Sequence, residues 1–232
     1  MKVVLLAGGF GTRLSPYTKT VPKPMINIAG KPMLFHIMKL YAKYGYKDFY
    51  VALGYKGMVI KKFFNKKKFN WKINLIDTGK NTMTGGRLKR LQKYIGQETF
   101  MMTYGDGLSN INLKKLLKFH KKNKKLVTLT AVRPPARFGA IQLKGQIVSY
   151  FREKSKIDEN WINGGFFVME PEFFKSIKND STILEQKPLE NAAKKRQLGA
   201  FKHEGFWQCM DTKKDKDILS KILNKKKSNS KF

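Results

Sequence analysis

Val3-Val4-Leu5-Leu6-Ala7-Gly8-Gly9-Phe10-Gly11-Thr12-Arg13-Leu14 decides how this chain folds. A short apolar run breaks into glycines, and a basic residue follows. A glycine-rich turn leaving a buried strand lets bare backbone N–H groups approach a phosphate. Strand carboxyl ends are also where open α/β sheets bind ligands. Further on stands Pro22-Lys23-Pro24. Proline on both sides of the lysine stiffens the chain and rules out helix. The stretch therefore predicts a strand followed by a long, stiff loop carrying Arg13 and Lys23. The dinucleotide fingerprint would need a third glycine where Leu14 stands and a helix where Ser15-Pro16 stand. No Gly-Lys-Ser/Thr phosphate loop occurs. A plain tight turn could also read Gly-Gly-x-Gly, but Thr12-Arg13 and the Pro-Lys-Pro segment set this one apart.

The chain has 232 residues, 41% of them hydrophobic, enough for one large α/β domain. No apolar run approaches the roughly 18 residues of a membrane span. The run after Met1-Lys2 is too short for a signal peptide. Cys209 has no second cysteine to pair with, so a reducing, cytoplasmic setting is expected. Lys and Arg number 48 against 16 Asp and Glu, a net charge of +32. That excess raises a nucleic-acid-binding reading. Against it, the lysines are scattered over the polar faces of expected helices, and no RNP-like aromatic pattern accompanies them. An enzyme without a nucleic-acid partner, whose field draws in anionic substrates, is the expectation.

Strands and helices alternate along the chain, which predicts an α/β fold. A helix should start at Pro32 and bury Met33, Ile37 and Leu40. Strands are expected at 49–53 and 73–77, with a short helix at 58–64 between them. Thr82-Met83-Thr84-Gly85-Gly86 should open a helix through about 94, placing Thr82, the glycine pair and Arg87 at its start. Free N–H groups there could meet a base or a phosphate; an ordinary capped helix end is the alternative. A buried strand at 99–104 ends in Gly105-Asp106-Gly107. With no partner strand expected straight after it, this carboxylate reads as a ligand holder rather than an Asp-Gly turn. A helix at 113–120 and a strand at 126–132 follow. From Arg137 the strands shorten: a hairpin at 140–153, then a strand at 161–169 with Gly164-Gly165 inside it, suggesting a bulge or a close ligand approach. Helices are expected at 171–177, 188–196 and 214–223. Residues 225–232 should form a frayed basic tail.

His36, His120 and His203 lack metal-ligand spacing, and no nucleophile–histidine set is evident. What remains is a phosphate loop, two clamped cations, and two carboxylates after strands, Asp106 and Asp211. Hard carboxylates together with substrate phosphates hold Mg²⁺. Phosphoryl-type transfer needs mainly positioning and charge stabilisation.

The start motif with Pro22-Lys23-Pro24, Gly105-Asp106, Glu153-Lys154, Asn163-Gly164-Gly165 and Asp211 resembles, in that order, the sugar-1-phosphate nucleotidyltransferases. Within that family, Asp77-Thr78-Gly79, Thr82-Met83-Thr84-Gly85-Gly86-Arg87-Leu88, Thr103-Tyr104-Gly105-Asp106-Gly107 and Glu204-Gly205-Phe206-Trp207-Gln208-Cys209-Met210-Asp211-Thr212 look like the glucose-1-phosphate cytidylyltransferases. The resemblance implies a Rossmann-like, mostly parallel mixed sheet flanked by helices, with a smaller β-rich sugar-binding part in the C-terminal half. It implies one domain over 1–224, with a nucleotide-binding part at 1–133 and a sugar-binding part at 134–224. The implied reaction joins CTP and glucose 1-phosphate into CDP-glucose and pyrophosphate with Mg²⁺, feeding deoxysugar synthesis for surface polysaccharide such as O-antigen. A uridylyl- or thymidylyltransferase is the alternative.

By the same resemblance, Leu6, Ala7, Gly8 and Gly9 face the nucleoside, while Gly11, Thr12 and Arg13 hold the β and γ phosphates. Lys23 lies over the α-phosphate and sugar phosphate. Thr82 and Arg87 read the cytosine. Gly105 precedes Asp106, which shares Mg²⁺ with Asp211. Glu153, Lys154 and Asn163 serve the sugar phosphate. The bridge at 65–71 is shorter than in the family and Ser155 replaces its proline, so a homo-oligomer stays open.

Overall fold

The structure is a computed structural model and describes residues 1–15, 17–66, 68–135, 139–153 and 160–229. Strand β1 (Lys2–Leu6) leads into a loop with 3₁₀ turns at Thr12–Leu14, Tyr17–Lys19 and Lys23–Met25. A minimal hairpin, β2 (Asn27–Ile28) and β3 (Lys31–Pro32), runs into α1 (Met33–Lys43). Then come β4 (Asp48–Leu53), α2 (Gly57–Asn65), β5 (Lys72–Asp77), α3 (Thr84–Arg90), α4 (Gln92–Ile95), β6 (Phe100–Tyr104), β7 (Gly107–Ser109), α5 (Leu113–Asn123) and β8 (Val127–Val132). The second half adds the hairpin β9 (Ala140–Lys144) and β10 (Ile147–Arg152), then β11 (Ile162–Met169), a 3₁₀ turn at Pro171–Ser176, α6 (Lys187–Lys194), β12 (Leu198–His203), β13 (Trp207–Cys209) and α7 (Lys213–Asn229).

Seven strands form the central sheet in the order β12-β8-β11-β6-β1-β4-β5. β1 pairs in parallel with both β4 and β6, and β11 alone runs antiparallel to its two neighbours. Side chains alternate across the pleat. Val3 and Leu5 join the core shared with α1, α2, α5 and α7 on one face. Val4 and Leu6 join Leu88, Leu91, Phe173, Phe174 and Leu189 on the other. Burial on both faces is why β1 reads as an unbroken apolar run. Leu5 is fully buried, so Leu5→Ala should cost about 2–5 kcal/mol.

Several expectations change. The helix expected from Thr82 to about 94 breaks at Leu91 into α3 and α4. A strand not expected from the sequence, β7, follows Asp106 directly; it pairs with β13 and not with β6, whose partners are β1 and β11, so no Asp-Gly hairpin forms there. Residues 171–176 form a 3₁₀ turn rather than an α-helix. Strands from the C-terminal half are woven into the main sheet; the β9–β10 hairpin is a sheet of its own. The basic stretch after Leu223 is helical as far as Asn229. Leu219 and Leu223 anchor α7 to the core, and no glycine or proline follows to break it. Among the described residues no helix is long and apolar enough to cross a membrane.

Candidate active site

The pairing of β7 with β13 puts Gly107 opposite Cys209, and the Met210 N–H donates to the Asp106 carbonyl at 2.9 Å. One antiparallel ladder thus brings Asp106 and Asp211 side by side. Asp211 is further fixed by the start of α7. There Thr212 and Asp215 form a reciprocal cap: the Asp215 N–H donates to Thr212 Oγ1 at 3.2 Å, and Asp215 Oδ2 accepts the N–H groups of Asp211 at 3.1 Å and Thr212 at 2.8 Å. Asp215 is buried.

Lys23 Nζ lies between the two carboxylates, donating to Asp106 Oδ2 and Asp211 Oδ1 at 2.7 Å each. Arg13 Nη1 lies 3.3 Å from Asp211 Oδ2. The two cations differ in setting: the Lys23 side chain is 12% exposed and that of Arg13 78%. Burial alone would lower the Lys23 pKa, but the Asp106 charge and the two hydrogen bonds outweigh it and raise it. Burial pulls Asp211 upward, yet Lys23 and Arg13 bring it below the usual carboxylate range. Cys209 shares this corner, and burial, then Asp106, push its thiol up.

The glycine loop lines the same cavity. The N–H groups of Gly8, Gly9 and Gly11 donate to no carbonyl among the described residues. Gly11 is left-handed at φ 65°, and a Cβ there would come 2.8 Å from the Lys23 Cβ. Only glycine lets the loop turn and still admit the Pro-Lys-Pro segment.

The start of α3 is built differently from expectation. The Met83 N–H donates to the Asp180 carbonyl at 2.8 Å. Those of Gly85 and Gly86 donate to the Thr182 carbonyl at 3.0 and 3.3 Å. These donors are spent within the protein. The glycine pair serves close backbone packing: a Cβ on Gly85 would lie 2.7 Å from the Thr182 carbonyl oxygen, and one on Gly86 2.5 Å from Asp180 Cα. Arg87, expected to read a base, is 4% exposed. Its two Nη groups donate to the carbonyls of Leu53 (3.0 Å), Gly8 (3.0 Å), Gly79 (2.6 Å) and Lys80 (3.1 Å) and to Thr78 Oγ1 (2.9 Å). Both Nη groups are committed to backbone turns, so Arg87 braces the loops instead of offering free Nη donors.

A cavity of about 930 Å³ opens across these elements at the carboxyl ends of β1 and β6. It gathers Leu6, Ala7, Gly8, Gly9, Gly11, Thr12, Arg13, Lys23, Thr82, Arg87, Gly105, Asp106, Asn163 and Asp211. Asn163 Oδ1 accepts the Gly165 N–H at 2.9 Å in the bulge of β11. Glu153, beside Gly139 at the end of the hairpin, is not on this wall, and Lys154 lies outside the described residues. Sequence reasoning missed Tyr104, Glu185 and Trp207 as wall residues. Trp207 Nε1 donates to the Gly164 carbonyl at 2.7 Å, tying β13 to the β11 bulge. A tryptophan two residues before Cys209 and a tyrosine before Gly105 were visible signals; nothing in the sequence marked Glu185.

Backbone N–H groups without a carbonyl partner share one cavity with a cation held by two carboxylates, at the strand carboxyl ends where α/β sheets bind ligands. The chain belongs to the nucleotidyl transferase family, whose profile matches residues 2–221. It is 46% identical to glucose-1-phosphate cytidylyltransferase of Salmonella typhimurium, over 98% of each chain. It is 32% identical to mannose-1-phosphate guanyltransferase of Aspergillus oryzae, over 95% of this chain and 63% of that one. Among solved structures, UDP-glucose pyrophosphorylase complexed with UDP-glucose shares the fold at a TM-score of 0.75 and 19% identity, covering 97% of this chain and 98% of that one.

Proposed function

We propose that the protein transfers CMP from CTP to glucose 1-phosphate, giving CDP-glucose and pyrophosphate. The observation that carries the reading is the Lys23–Asp106–Asp211 cluster in one cavity with the bare N–H groups of the glycine loop. The similarity to the Salmonella cytidylyltransferase over nearly the whole of both chains points to the same substrates.

The donor set fits a hard divalent cation. Two carboxylate oxygens converge on one point, and an ammonium already stands there. Asp106 and Asp211 would hold Mg²⁺, with the protonated Cys209 thiol beside them contributing no hard donor. The ion would supply charge neutralisation for the nucleotide phosphates. The Gly8, Gly9 and Gly11 N–H groups bind and orient the triphosphate. Lys23 stabilises charge at the α-phosphate and the sugar phosphate. Arg13, exposed and planar, meets the leaving pyrophosphate with a two-pronged grip. Asn163 lines the sugar side, and the family resemblance adds Glu153 and Lys154 as residues for the sugar phosphate. A sugar phosphate is largely ionised near neutral pH, so its oxygen attacks the α-phosphorus in line without a general base. One phosphoanhydride replaces another, so the exchange runs near balance. CDP-glucose then enters deoxysugar synthesis for surface polysaccharide in the cytoplasm.

The test is a panel of CTP, UTP, dTTP and GTP, each with glucose 1-phosphate, read by pyrophosphate release. CTP should be the preferred substrate. Faster turnover with UTP or dTTP overturns the assignment.

A further inference from the structure

The turn between β4 and α2 holds the glycine loop through two residues, Tyr55 and Lys56, neither of which lines the cavity. Tyr55 makes most of the contact. Its N–H donates to the Gly8 carbonyl at 3.0 Å. Its hydroxyl donates to the Thr18 carbonyl at 3.2 Å. Its ring lies 5.2 Å, centroid to centroid, from that of Phe10. Lys56 Nζ donates to the Thr18 carbonyl at 3.4 Å and also to the Lys19 carbonyl. One short turn thus grips the start, the tip and the far end of the loop. Between those grips stand Gly9, Gly11, Thr12 and Arg13, all on the cavity wall.

Each grip fixes something on the cavity side. The Gly8 carbonyl accepts from both the Tyr55 N–H and Arg87 Nη2, at 3.0 Å each. A trans peptide is planar, with its N–H directed opposite to its carbonyl. Pinning the Gly8 carbonyl therefore directs the Gly9 N–H, which has no carbonyl partner among the described residues. Thr18 is buried, and its methyl would lie 3.1 Å from a Cβ on Gly11. Holding Thr18 in place limits where Gly11 can go. Phe10 stands between two glycines that give the tip little stiffness of its own, and it rests on the Tyr55 ring. Lys56 itself occupies the left-handed region at φ 51°, where glycine would sit without strain. The lysine side chain is what reaches the loop.

We infer that Tyr55 and Lys56 are positioning residues that hold the glycine loop in the shape that receives the β and γ phosphates of the nucleotide. The inference rests on the placing of the triphosphate proposed above. Tyr55→Phe tests it, because it removes one hydroxyl, leaves the ring beside Phe10 and changes no charge. In calorimetric titrations with Mg²⁺ and without sugar, the Kd for CTP should rise about threefold to tenfold, the effect of one lost hydrogen bond. The Kd for CMP should stay at its wild-type value, since CMP carries no β or γ phosphate to misplace. Lys56→Gly should weaken CTP with the same selectivity at an unchanged melting temperature, relief of the left-handed strain offsetting the added freedom of the unfolded chain. A merely structural contact would weaken CTP and CMP alike. Unchanged CTP binding in Tyr55→Phe, or equal weakening of CTP and CMP, overturns the role given to the turn. A wild-type enzyme that prefers another triphosphate overturns the activity reading instead. The same comparison, made with that triphosphate and its monophosphate, then still decides the role of the turn.

Discussion

On one part of the cavity wall Lys23, Arg13, Asp106 and Asp211 answer one another's charges, while on another Glu185 accepts from the neutral hydroxyls of Tyr104 and Thr84. The first is made of charge against charge, the setting proposed above for the phosphates. The second is made of hydrogen bonds between side chains, with Glu185 the shared acceptor. Charge acts over a distance and tolerates imprecise placement, whereas a hydrogen bond needs its acceptor fixed within reach. The second part is braced accordingly, by the 179–185 segment and by Arg87.

The largest expected effect lies at the charged end. Asp211→Asn should keep the fold and lower turnover by about a hundredfold or more, and Asp106→Asn should do likewise. The double variant should lose well short of the product of the two, since both act on one cation. Pyrophosphate release measures this; near-normal rates would sever the charged end from the chemistry. The same site should show in stability against pH. Asp211 has a depressed pKa in the fold. Its contribution is therefore present above the unfolded carboxylate value of about 3.9 and lost as pH falls through the lower folded value. The difference in melting temperature between wild type and Asp211→Asn should be flat near neutrality and shrink below about pH 4.

The braced end should give smaller effects, felt in binding before turnover. Gly86→Ala puts a methyl 2.5 Å from Asp180 Cα and the Asp180 carbonyl oxygen, forcing the 179–185 segment outward. Overpacking of this kind costs about 1–3 kcal/mol. The melting temperature should drop, and the KM for glucose 1-phosphate should rise by more than that for CTP, since Glu185 on that segment accepts from the Tyr104 hydroxyl, which also bonds Asn163 on the sugar side. Equal changes in both would mean that the segment does not serve the sugar side.

The smallest effect concerns Cys209. Its raised pKa leaves little thiolate at neutral pH, so iodoacetamide should modify it more slowly than free cysteine at about pH 8. Asp211→Asn should speed the reaction, because it removes a negative charge that opposes thiolate formation. Unchanged kinetics would show that the thiol does not sense the carboxylates.

The charged end was almost fully readable from sequence. Glycines after an apolar run, a lysine between prolines and aspartates after strands are local patterns with few alternative uses. The acidic residue that caps α7, Asp215, follows Thr212 at capping-box spacing and was open to the same reading. The braced end was not. The Thr-Gly-Gly-Arg string looked like exposed donors, because sequence cannot say whether a helix start faces solvent or another segment. Only tertiary packing brings Asp180, Thr182 and Glu185 onto it, and no periodicity announces a loop that folds back across so much of the chain. β7 was missed for the same reason, since its partner β13 lies near the other end of the chain. The α/β class and the reading of β1, β4 and β6 survived because burial on both faces leaves continuous apolar runs.

Lys23, Asp106 and Asp211 come from the beginning, the middle and the end of the polypeptide, yet they meet at a single nitrogen. During synthesis, therefore, a chain can complete the glycine loop and β1 long before it owns a working site. β1 itself waits for β6 to fill its second edge, and Asp211 waits for α7 to cap. Contacts of such long sequence separation form late and slowly. Nucleotide cannot serve as a template for the nascent chain, having nothing complete to hold until the last helix is in place. It can only stabilise the finished molecule, by mass action on the native state.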